Sequence, residues 1–534
     1  MSRPRPPWDF GYAPVTPAAV ALEDTRELIV ATSVAIAAEL VAAALPPGAA
    51  AETLLARAPL FWTRVVLEQP VQPAAVDEML RAHGLSPRYV ASATQPSLAL
   101  GAPLDPLGAP PARPDAWPVR HVATPPDADT AGSWFLHDAP GGIAVDRLRS
   151  GDGAGTRLAV IDDDALEAGA LDLDAEVLVG LSAAPRHSTH GALMVAWAAG
   201  ARGFAGVAPG ASTRLYLIPK PGRSLAALPL AIARAAADGA DVIVCATYVE
   251  GSTSPMLDDA LAFAESLGRR GRGTAVVLPT GREASSPPGS LHASFSLGLG
   301  EPASDPRVFC VAPGARGEGW FLWRDRRGRL RPFANRGPAV RWLAPGDDVA
   351  YPFARGDGGG GGGTPPDPAP PERLFHAESS GASAIAAGAL LLVLAANPSL
   401  RLGELAEIVD ATLSPVPPET GADLLADPAD VLPAARDRDG HNAKHGQGRL
   451  HVGRACLAAS DPFCAALLAM GEDQAARAFA DARRSDPVVL GAYPRSLGRW
   501  MVRALLADRE AARGLRVVFR HLRLVGEDLS LIHI

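Results

Sequence analysis

Three residues in the middle of the chain have side chains that could together perform acyl transfer. Asp162 follows the apolar run Leu158–Ile161, His190 precedes a small apolar segment, and Ser380 opens a longer one. Acyl transfer by serine needs a hydroxyl nucleophile, an imidazole that takes its proton and a carboxylate that orients the imidazole. Taken singly, each residue is better explained as a turn, packing or helix-capping residue. Taken together, they form a candidate catalytic triad.

The elements around these residues alternate between strand-like and helix-like patterns from about residue 146 onwards. Strands are expected at Leu158–Ile161, Arg214–Ile218, Asp241–Ala246, Thr274–Leu278 and Val308–Ala312, and helices over His190–Gly200, Leu225–Ala237, Met256–Arg269 and Ser380–Ala396. The alternation predicts an α/β fold, a doubly wound and mainly parallel sheet with helices on both faces. Ligands bind beyond the carboxyl ends of the strands in such sheets, and Asp162 stands at one of these ends.

Several segments resemble motifs of the subtilisin-like serine peptidases, the subtilases. They occur in the family's order and are Gly155–Asp162, Ser188–Ala196, Gly206–Ala211, Phe333–Pro338, Ala344–Gly346 and Asp439–Arg449. The resemblance covers roughly residues 133–459, and its order of Asp, His and Ser is that of subtilisin. It implies a serine endopeptidase with Asp162, His190 and Ser380 as the triad. Ala192 stands where the family usually has Thr.

The nucleophile has to be chosen among neighbouring serines. In subtilases it is followed by Ala two residues later, by a helix glycine eight later and by a proline eighteen later. Counting from Ser380 meets all three conditions, with Ala382, Gly388 and Pro398. Counting from Ser383 meets none of them. The spacing therefore favours Ser380, although the residues just before Ser383 look more like the family's Gly-Thr-Ser.

Two residues near the triad depart from the family pattern. Arg282 stands where subtilases place the Asn side chain of the oxyanion hole. In subtilisin itself, the loss of that donor costs on the order of a hundred- to a thousandfold in rate. Arg282 could donate in its place, or it could instead point to solvent or pair with Glu283, and the sequence leaves these alternatives open. Glu378 replaces a glycine two residues before Ser380, and an inward-pointing carboxylate there would disfavour an oxyanion.

The resemblance also implies where a substrate binds. The segment after the strand Asp241–Cys245 pairs with extended peptides in subtilases, and here it comprises Ala246, Thr247 and Tyr248. Tyr248 stands where glycine is usual, so its ring would narrow the first specificity pocket. We expect a protein or peptide substrate, with some preference for small side chains.

No cofactor or metal ion is expected. The turn Gly200–Phe204 lacks the Asn or Asp oxygens of a calcium site, and the four cysteines have no zinc-binding spacing. Cys245 and Cys310 are expected to be buried thiols, whereas Cys456 and Cys464 could be buried or paired. The net charge of -8 and the lack of a basic run argue against a nucleic-acid partner.

Regions with different patterns flank the expected peptidase domain at residues 146–459. Residues 1–145 are expected to form a mainly helical region, a prodomain-like or partner-binding module. Its helical patterns cover Glu23–Ala44, Ala50–Leu67 and Ala74–His83, before a Pro-rich linker at Pro103–Pro126. Within the peptidase domain, residues 357–371 form a Gly/Pro-rich surface loop. Residues 460–528 read as a helical extension that could bind a partner protein.

The chain ends and overall composition bear on location and origin. No apolar core of a signal peptide follows Met1, and Glu39 interrupts the apolar stretch Leu28–Leu45, so a cytoplasmic protein without membrane contact is expected. High Ala, Gly and Pro content suggests a GC-rich bacterial genome. Residues 529–534 resemble the translation of a sequencing-library transposon end and are left out of the fold prediction.

Three functions are compatible with these residues. The leading one is a serine endopeptidase working through an acyl-enzyme. The alternative is a catalytically impaired pseudopeptidase that binds peptides or partners, motivated by Ala192, Arg282 and Glu378. A peptide-ligating acyl transferase would use the same residues as the hydrolase.

Overall fold

A computed structural model describes most of the chain between residues 25 and 460. The described ranges are 25–92, 131–137, 141–148, 151–162, 175–178, 190–200, 205–218, 226–246, 254–281, 302–316, 322–324, 330–332, 334–335, 337–347, 349–350, 374–375, 377–414, 416, 441–442 and 445–460. The expected Pro-rich linker, the Gly/Pro-rich loop, the C-terminal extension and the last six residues lie outside them.

The N-terminal unit is a four-stranded antiparallel sheet with two helices. Its elements are β1 (Thr25–Thr32), α1 (Ala38–Ala43), β2 (Ala50–Arg57), β3 (Leu60–Val71), α2 (Pro73–Ala82) and β4 (Pro87–Ser92). The strand order β2-β3-β1-β4 and the antiparallel pairing of all neighbours give the ferredoxin-like, split βαβ arrangement.

The prediction of a mainly helical N-terminal region is therefore wrong for most of residues 25–92. The helix expected at Ala74–His83 is present as α2, but strands replace the helices expected over Glu23–Ala44 and Ala50–Leu67, apart from the short α1. The reason is burial of β1 on both faces. Leu28 and Val30 face α1 and α2, whereas Ile29 and Ala31 face the opposite side of the sheet. A strand covered on both faces is apolar throughout, and its sequence cannot be told from a buried helix by periodicity.

The second unit is built on a parallel sheet. Its main elements are β5 (Arg157–Asp162), β6 (Ala175–Leu178), α3 (His190–Ala199), β7 (Ser212–Leu217), α4 (Ala227–Ala237), β8 (Val242–Cys245), α5 (Pro255–Gly271), β9 (Ala275–Pro279), β10 (Val308–Gly314), β11 (Leu322–Arg324), β12 (Leu330–Pro332), β13 (Val340–Pro345), β14 (Val349–Ala350), β15 (Leu374–Phe375), α6 (Glu378–Ala396), α7 (Leu402–Thr412) and α8 (Val452–Ser460). Seven described strands form the sheet in the order β13-β10-β9-β8-β5-β7-β6, all parallel. β11 pairs with β12 and β14 with β15 in two small hairpins.

Helices cover both faces of this sheet, as the alternating sequence pattern predicts. Along β5, Leu158 and Val160 face α3, α6 and α8, while Ala159 and Ile161 face α4 and α5. Side chains in a strand alternate between the two faces, so each strand contributes to two apolar layers. The predicted doubly wound α/β fold is confirmed.

Helix α6 lies at the centre of one layer. It is long and apolar enough to cross a membrane, by length and composition, but most of it is buried within the protein. Among the described helices it is the one that meets this test. Its packing explains its apolar sequence, since residues on every side of the helix contact other elements.

The short segment before β5 also belongs to this layer. Phe135 and Ile143 are fully buried in the same cluster as α3 and α6, and Val452 at the start of α8 donates its backbone N–H to the Ile143 carbonyl at 2.7 Å. Trp134–Leu136, Ile143 and Val145, assigned by sequence to the N-terminal region, therefore pack with the parallel sheet.

Three of the cysteines are described, and each is a buried thiol. Cys245 and Cys310 are buried as predicted. Burial raises the pKa of the Cys456 thiol to about 12, so it stays protonated and unreactive at neutral pH.

The N-terminal sheet packs against α4 and α5. Ile29, Leu55 and Trp62 share one apolar cluster with residues of those two helices, and the Trp62 side chain is fully buried there. Beside this cluster, Arg88 on β4 forms a two-pronged ion pair with Asp259 on α5, with N–O distances of 2.6 and 2.9 Å.

Tyr89 completes this polar contact. Its hydroxyl donates to Asp259 Oδ2 at 2.9 Å, and burial together with the Asp259 charge raises the pKa of Tyr89 above its ordinary value. The phenol therefore remains a donor over the physiological range. The described part of the N-terminal unit is thus joined to the parallel-sheet unit by both apolar and charge-assisted contacts.

The close contact between α6 and α3 gives a testable expectation. A Cβ added at Gly388 would lie 2.6 Å from both the Ala198 carbonyl oxygen and the Val207 Cβ. Gly388→Ala should therefore lower the free energy of unfolding by about 1–3 kcal/mol, the usual cost of overpacking, in urea denaturation. Gly403→Ala in α7 is the matched control, because nothing lies within 4 Å of a Cβ there. The control should be neutral or slightly stabilising. Equal stability of the two variants would contradict this packing.

Candidate active site

The candidate site lies at the carboxyl edge of the parallel sheet. β5 ends at Asp162, and its neighbour β8 ends at Cys245, which pairs with Ile161. Asp162 and Ala246 therefore leave the sheet side by side, on strands about 4.8 Å apart. This is the edge at which the sheet topology predicts a site.

His190 is the first residue of α3 and is hydrogen-bonded to Asp162. The distance from His190 Nδ1 to Asp162 Oδ2 is 2.8 Å. The Asp162 side chain is completely buried, whereas that of His190 is 35% exposed. An ionised carboxylate can only accept, so Nδ1 carries the proton in this bond and Nε2 is left as the basic nitrogen.

Ser380 lies in the first turn of α6 and is partly exposed. Its Oγ donates to the backbone carbonyl of Ala246 at 2.8 Å. This bond anchors Ser380 to the strand next to the one that carries Asp162. A hydroxyl has one proton, so in this arrangement Ser380 does not donate to His190.

The packing of α3 on α6 brings the starts of the two helices to the same level. Both helices begin at the carboxyl edge, His190 through Asp162 and Ser380 through Ala246. Both run across the same face of the sheet, so they are roughly parallel. The close contact between Gly388 and Ala198 lies eight residues beyond Ser380 in α6 and eight residues beyond His190 in α3, or about 12 Å along each helix. His190 and Ser380 therefore lie at the same edge of the sheet.

Ser383 is in a different environment. It is completely buried, and its Oγ donates to the Ser380 carbonyl within the same helix at 2.6 Å. A substrate carbonyl cannot approach a hydroxyl in that position. The geometry thus agrees with the spacing argument for Ser380.

Glu378 has an unusual backbone conformation for a residue with a side chain. Its φ angle is +57°, in the left-handed region that favours glycine. A left-handed residue other than glycine costs about 1–2 kcal/mol. Its N–H donates to the Gly346 carbonyl at 2.8 Å, and a Cβ at Gly346 would lie 2.7 Å from the Glu378 carbonyl oxygen. The turn before Ser380 is therefore held against the end of β13.

The segment that leads to the expected oxyanion residue is described only up to Gly281. Arg282 and Glu283 lie outside the described residues. Thr280 and Gly281 follow β9 and are buried. The Thr280 N–H donates to the Val311 carbonyl of β10, and the Asn335 N–H donates to the Gly281 carbonyl, both at 3.0 Å.

Asn335 is a positioning residue that the sequence did not single out. Its side chain is buried, and Nδ2 donates to the Thr280 carbonyl at 3.0 Å. Its Oδ1 accepts no hydrogen bond from the described residues. Because a carbonyl only accepts, the amide nitrogen must face Thr280. The available signal was Asn335's place within the motif Phe333–Pro338, which the resemblance assigned to the family without a role.

The expected substrate segment is described only in part. Ala246 is buried at the end of β8, while Thr247 and Tyr248 lie outside the described residues. No group of three or more His, Cys, Asp or Glu side chains suitable for a metal ion occurs within the described part of the chain.

Comparison with known proteins places this geometry in a fold class. No family profile and no curated sequence matches the chain significantly. Among solved structures, fervidolysin from Fervidobacterium pennivorans, a keratinolytic enzyme related to subtilisin, is 16% identical with a TM-score of 0.51. That match covers 82% of this chain and 61% of fervidolysin, so the chain spans about three fifths of its length.

Two further solved structures match with lower TM-scores. A protease from Pseudoalteromonas arctica is 19% identical, with a TM-score of 0.44 over 63% of this chain and 100% of its own. MycP1, a serine protease of the type VII (ESX-1) secretion system, is 20% identical, with a TM-score of 0.42 over 66% of this chain and 98% of its own.

The chain therefore has a divergent subtilisin-like fold. The resemblance stated from the sequence motifs is confirmed at the level of fold.

The role of Asn335 can be tested by stability. Asn335→Ala and Asn335→Asp both remove the donor to the Thr280 carbonyl, and the Asp variant keeps the size of the side chain. Each should lower the free energy of unfolding by about 1–3 kcal/mol in urea denaturation, because a buried carbonyl loses its partner. A loss in the Ala variant alone would mean that packing, and not the hydrogen bond, explains the residue.

Proposed function

We propose that the protein is a serine endopeptidase that hydrolyses peptide bonds through an acyl-enzyme. The observation that carries this proposal is the 2.8 Å hydrogen bond between His190 and Asp162, at the edge where Ser380 is anchored to the adjacent strand. The burial of Asp162 and the exposure of His190 suit an orienting carboxylate behind a working base. The fold shared with a subtilisin-related enzyme supports the same activity.

In the proposed mechanism, Ser380 Oγ attacks the peptide carbonyl while His190 Nε2 accepts its proton. Asp162 holds the Nδ1–H and stabilises the imidazolium that forms. The tetrahedral intermediate collapses when the C–N bond breaks, and His190 passes the proton to the leaving amine. Water then attacks the acyl-enzyme ester while His190 accepts its proton, and His190 returns that proton to Ser380 as the carboxylic acid product leaves. Ser380 must first turn from the Ala246 carbonyl towards His190, a rotation about one side-chain bond.

The oxyanion would be stabilised at the start of α6. The N–H of Ser380 and the positive end of this 19-residue helix face the developing charge. We propose Arg282 as the second donor. The substrate would extend along Ala246, Thr247 and Tyr248, as a strand added to the sheet edge. The mechanism requires no cofactor.

A fluorophosphonate probe tests the nucleophile, because it reacts with a serine activated by a neighbouring base. The parent protein should be labelled, Ser380→Ala should not, and Ser383→Ala should be labelled as the parent is. Labelling is measured by gel fluorescence and by mass spectrometry of the modified peptide. Labelling that disappears only in Ser383→Ala would overturn the assignment of Ser380.

One observation favours a second candidate function, that of a pseudopeptidase which binds peptides without turnover. The Ser380 hydroxyl donates to the Ala246 carbonyl and so is not engaged with the base. In enzymes without bound substrate, the catalytic hydrogen bonds are often long or poorly aligned, and they form only in the substrate complex. We therefore place hydrolysis first. An unlabelled parent that still binds peptides would favour the pseudopeptidase.

For the N-terminal unit, we propose the role of a prodomain-like module. The shared apolar cluster with α4 and α5, and the Arg88 and Tyr89 contacts with Asp259, support a stable association with the peptidase unit. The chain between Ser92 and Ala131 connects the two units and contains the Pro-rich segment. We propose that this connection is where self-processing takes place.

Incubation of the purified protein near neutral pH tests this role. N-terminal sequencing should find a new terminus between residues 93 and 130, with both fragments eluting together in gel filtration. Ser380→Ala, prepared in parallel, should remain intact. If Ser380→Ala were cleaved at the same rate as the parent, another protease would be responsible for the cleavage. Separate elution of the two fragments would contradict a stable association between the units.

A further inference from the structure

The Trp197 side chain extends from one helix of the candidate site to the other. Trp197 belongs to α3 and is completely buried. A Cβ added at Gly381 in α6 would lie 3.0 Å from Trp197 Cζ3 and 3.1 Å from Cε3. Because glycine has no side chain, the indole ring packs directly on the backbone of the residue that follows Ser380.

The ring reaches towards the carboxyl edge of the sheet, where the candidate site lies. Trp197 comes seven residues after His190, about 10 Å along α3, whereas Gly381 lies in the first turn of α6. Side chains of a helix lean towards its N-terminus, so the Trp197 ring extends back along α3. It thus fills the buried space between α3 and the first turn of α6.

Both sides of this contact are fixed. In α3, the Trp197 carbonyl accepts the Val207 N–H at 3.0 Å, and Val207 also lies against Gly388 further along α6. In α6, the Gly381 N–H donates to the Ala377 carbonyl at 2.7 Å, and a Cβ at Gly381 would collide with that of Ala377. The backbone at Gly381 is therefore held by its own helical turn on one side and by the ring on the other.

A support at this point bears on catalysis because the contact at Gly388 is far from the candidate site. Gly388 lies about 12 Å along α6 from Ser380. The first turn of a helix also has fewer backbone hydrogen bonds than the turns behind it, so it is easier to displace. A displacement of about 1 Å between reacting groups can cost about a hundredfold in rate.

We propose that Trp197 is a positioning residue for acyl transfer, which sets the separation of Ser380 from His190. It does so through its contact with Gly381, and not by contact with the substrate. This inference rests on the proposed peptidase function and adds a residue to it. The ring is a spacer of fixed size between the helix that carries the base and the helix that carries the nucleophile. A smaller side chain would let the first turn of α6 shift and misalign the hydroxyl with the imidazole.

The first test compares the rate of probe labelling with stability. Trp197→Leu should lower the second-order rate constant of fluorophosphonate labelling on the order of tenfold to a hundredfold, and Trp197→Phe should lower it less. Both rates are measured under conditions in which circular dichroism shows the variants to be folded. The Phe variant keeps an aromatic ring, so it should retain part of the contact with Gly381.

Phe309→Leu is the matched control. Phe309 is a buried aromatic residue of the same apolar layer, but it lies near the start of β10, at the opposite edge of the parallel sheet. Both Leu variants should lose stability in urea denaturation, because each removes a buried ring. The control should nevertheless be labelled at the parent rate. Equal labelling rates for Trp197→Leu and Phe309→Leu would overturn the proposal.

A double-mutant cycle tests whether the effect passes through Gly381. In the parent, Gly381→Ala forces a methyl group against the Trp197 ring and should also lower the labelling rate. In Trp197→Leu the same methyl group meets a smaller side chain, so Gly381→Ala should cost less there. If the two losses simply multiply, the ring does not act through Gly381 and the proposal is wrong.

A thiol in place of the hydroxyl separates this proposal from the proposed function. In Ser380→Cys, the pH dependence of alkylation by iodoacetamide gives the pKa of the introduced thiol, read by mass spectrometry of its peptide. A nearby imidazolium lowers the pKa of a thiol from its ordinary value of about 8.5. The thiol pKa should be lowered in Ser380→Cys and should return towards about 8.5 in Ser380→Cys/Trp197→Leu. Ser380→Cys/Phe309→Leu should match the single variant.

This shift in thiol pKa would support Trp197 even if the parent protein shows no probe labelling and no peptide hydrolysis. In that case the proposed function fails, while the positioning of the residue at 380 against His190 stands. Equal thiol pKa values with and without Trp197→Leu would overturn the positioning role in either case.

Discussion

The close parallel packing of α3 and α6 is the contact on which the candidate site depends. Each helix begins at the carboxyl edge of the sheet, one with His190 and the other with Ser380 close to its start. Gly388 lets the two backbones approach, since any side chain there would collide with Ala198 and Val207. A shift between these helices would separate the imidazole from the hydroxyl. The apolar core is therefore also the device that sets the geometry of the polar site.

The polar groups at the sheet edge are held mainly by backbone atoms. Asp162 extends directly from β5, the Ala246 carbonyl holds Ser380, and the turn at Glu378 is bonded to the end of β13. Backbone groups of neighbouring strands keep their positions when side chains change. Such an arrangement can hold Asp162 and Ser380 in place while nearby residues, such as Arg282 and Glu378, differ from the pattern of the subtilases.

The N-terminal unit illustrates where sequence periodicity is ambiguous. The run Leu28–Ala31 is apolar at every position. A helix that is buried on all sides has the same kind of sequence, so the pattern does not tell strand from helix. The strand is apolar because its own helices cover one face and α4 and α5 approach the other. Only the presence of those partners distinguishes the two cases. In the parallel sheet the same ambiguity was smaller, because short strands alternate regularly with longer helices.

The sequence by itself determined the α/β class, most elements of the parallel sheet and the candidate residues Asp162, His190 and Ser380. Local patterns carry this information, since strand and helix have different periods and motif spacing is preserved along the chain. The tertiary structure decided that His190 bonds to Asp162, that Ser380 faces the Ala246 carbonyl and that Ser383 is buried. It also revealed the conformation of Glu378 and the role of Asn335. These facts depend on contacts between residues far apart in the chain, which no local pattern contains.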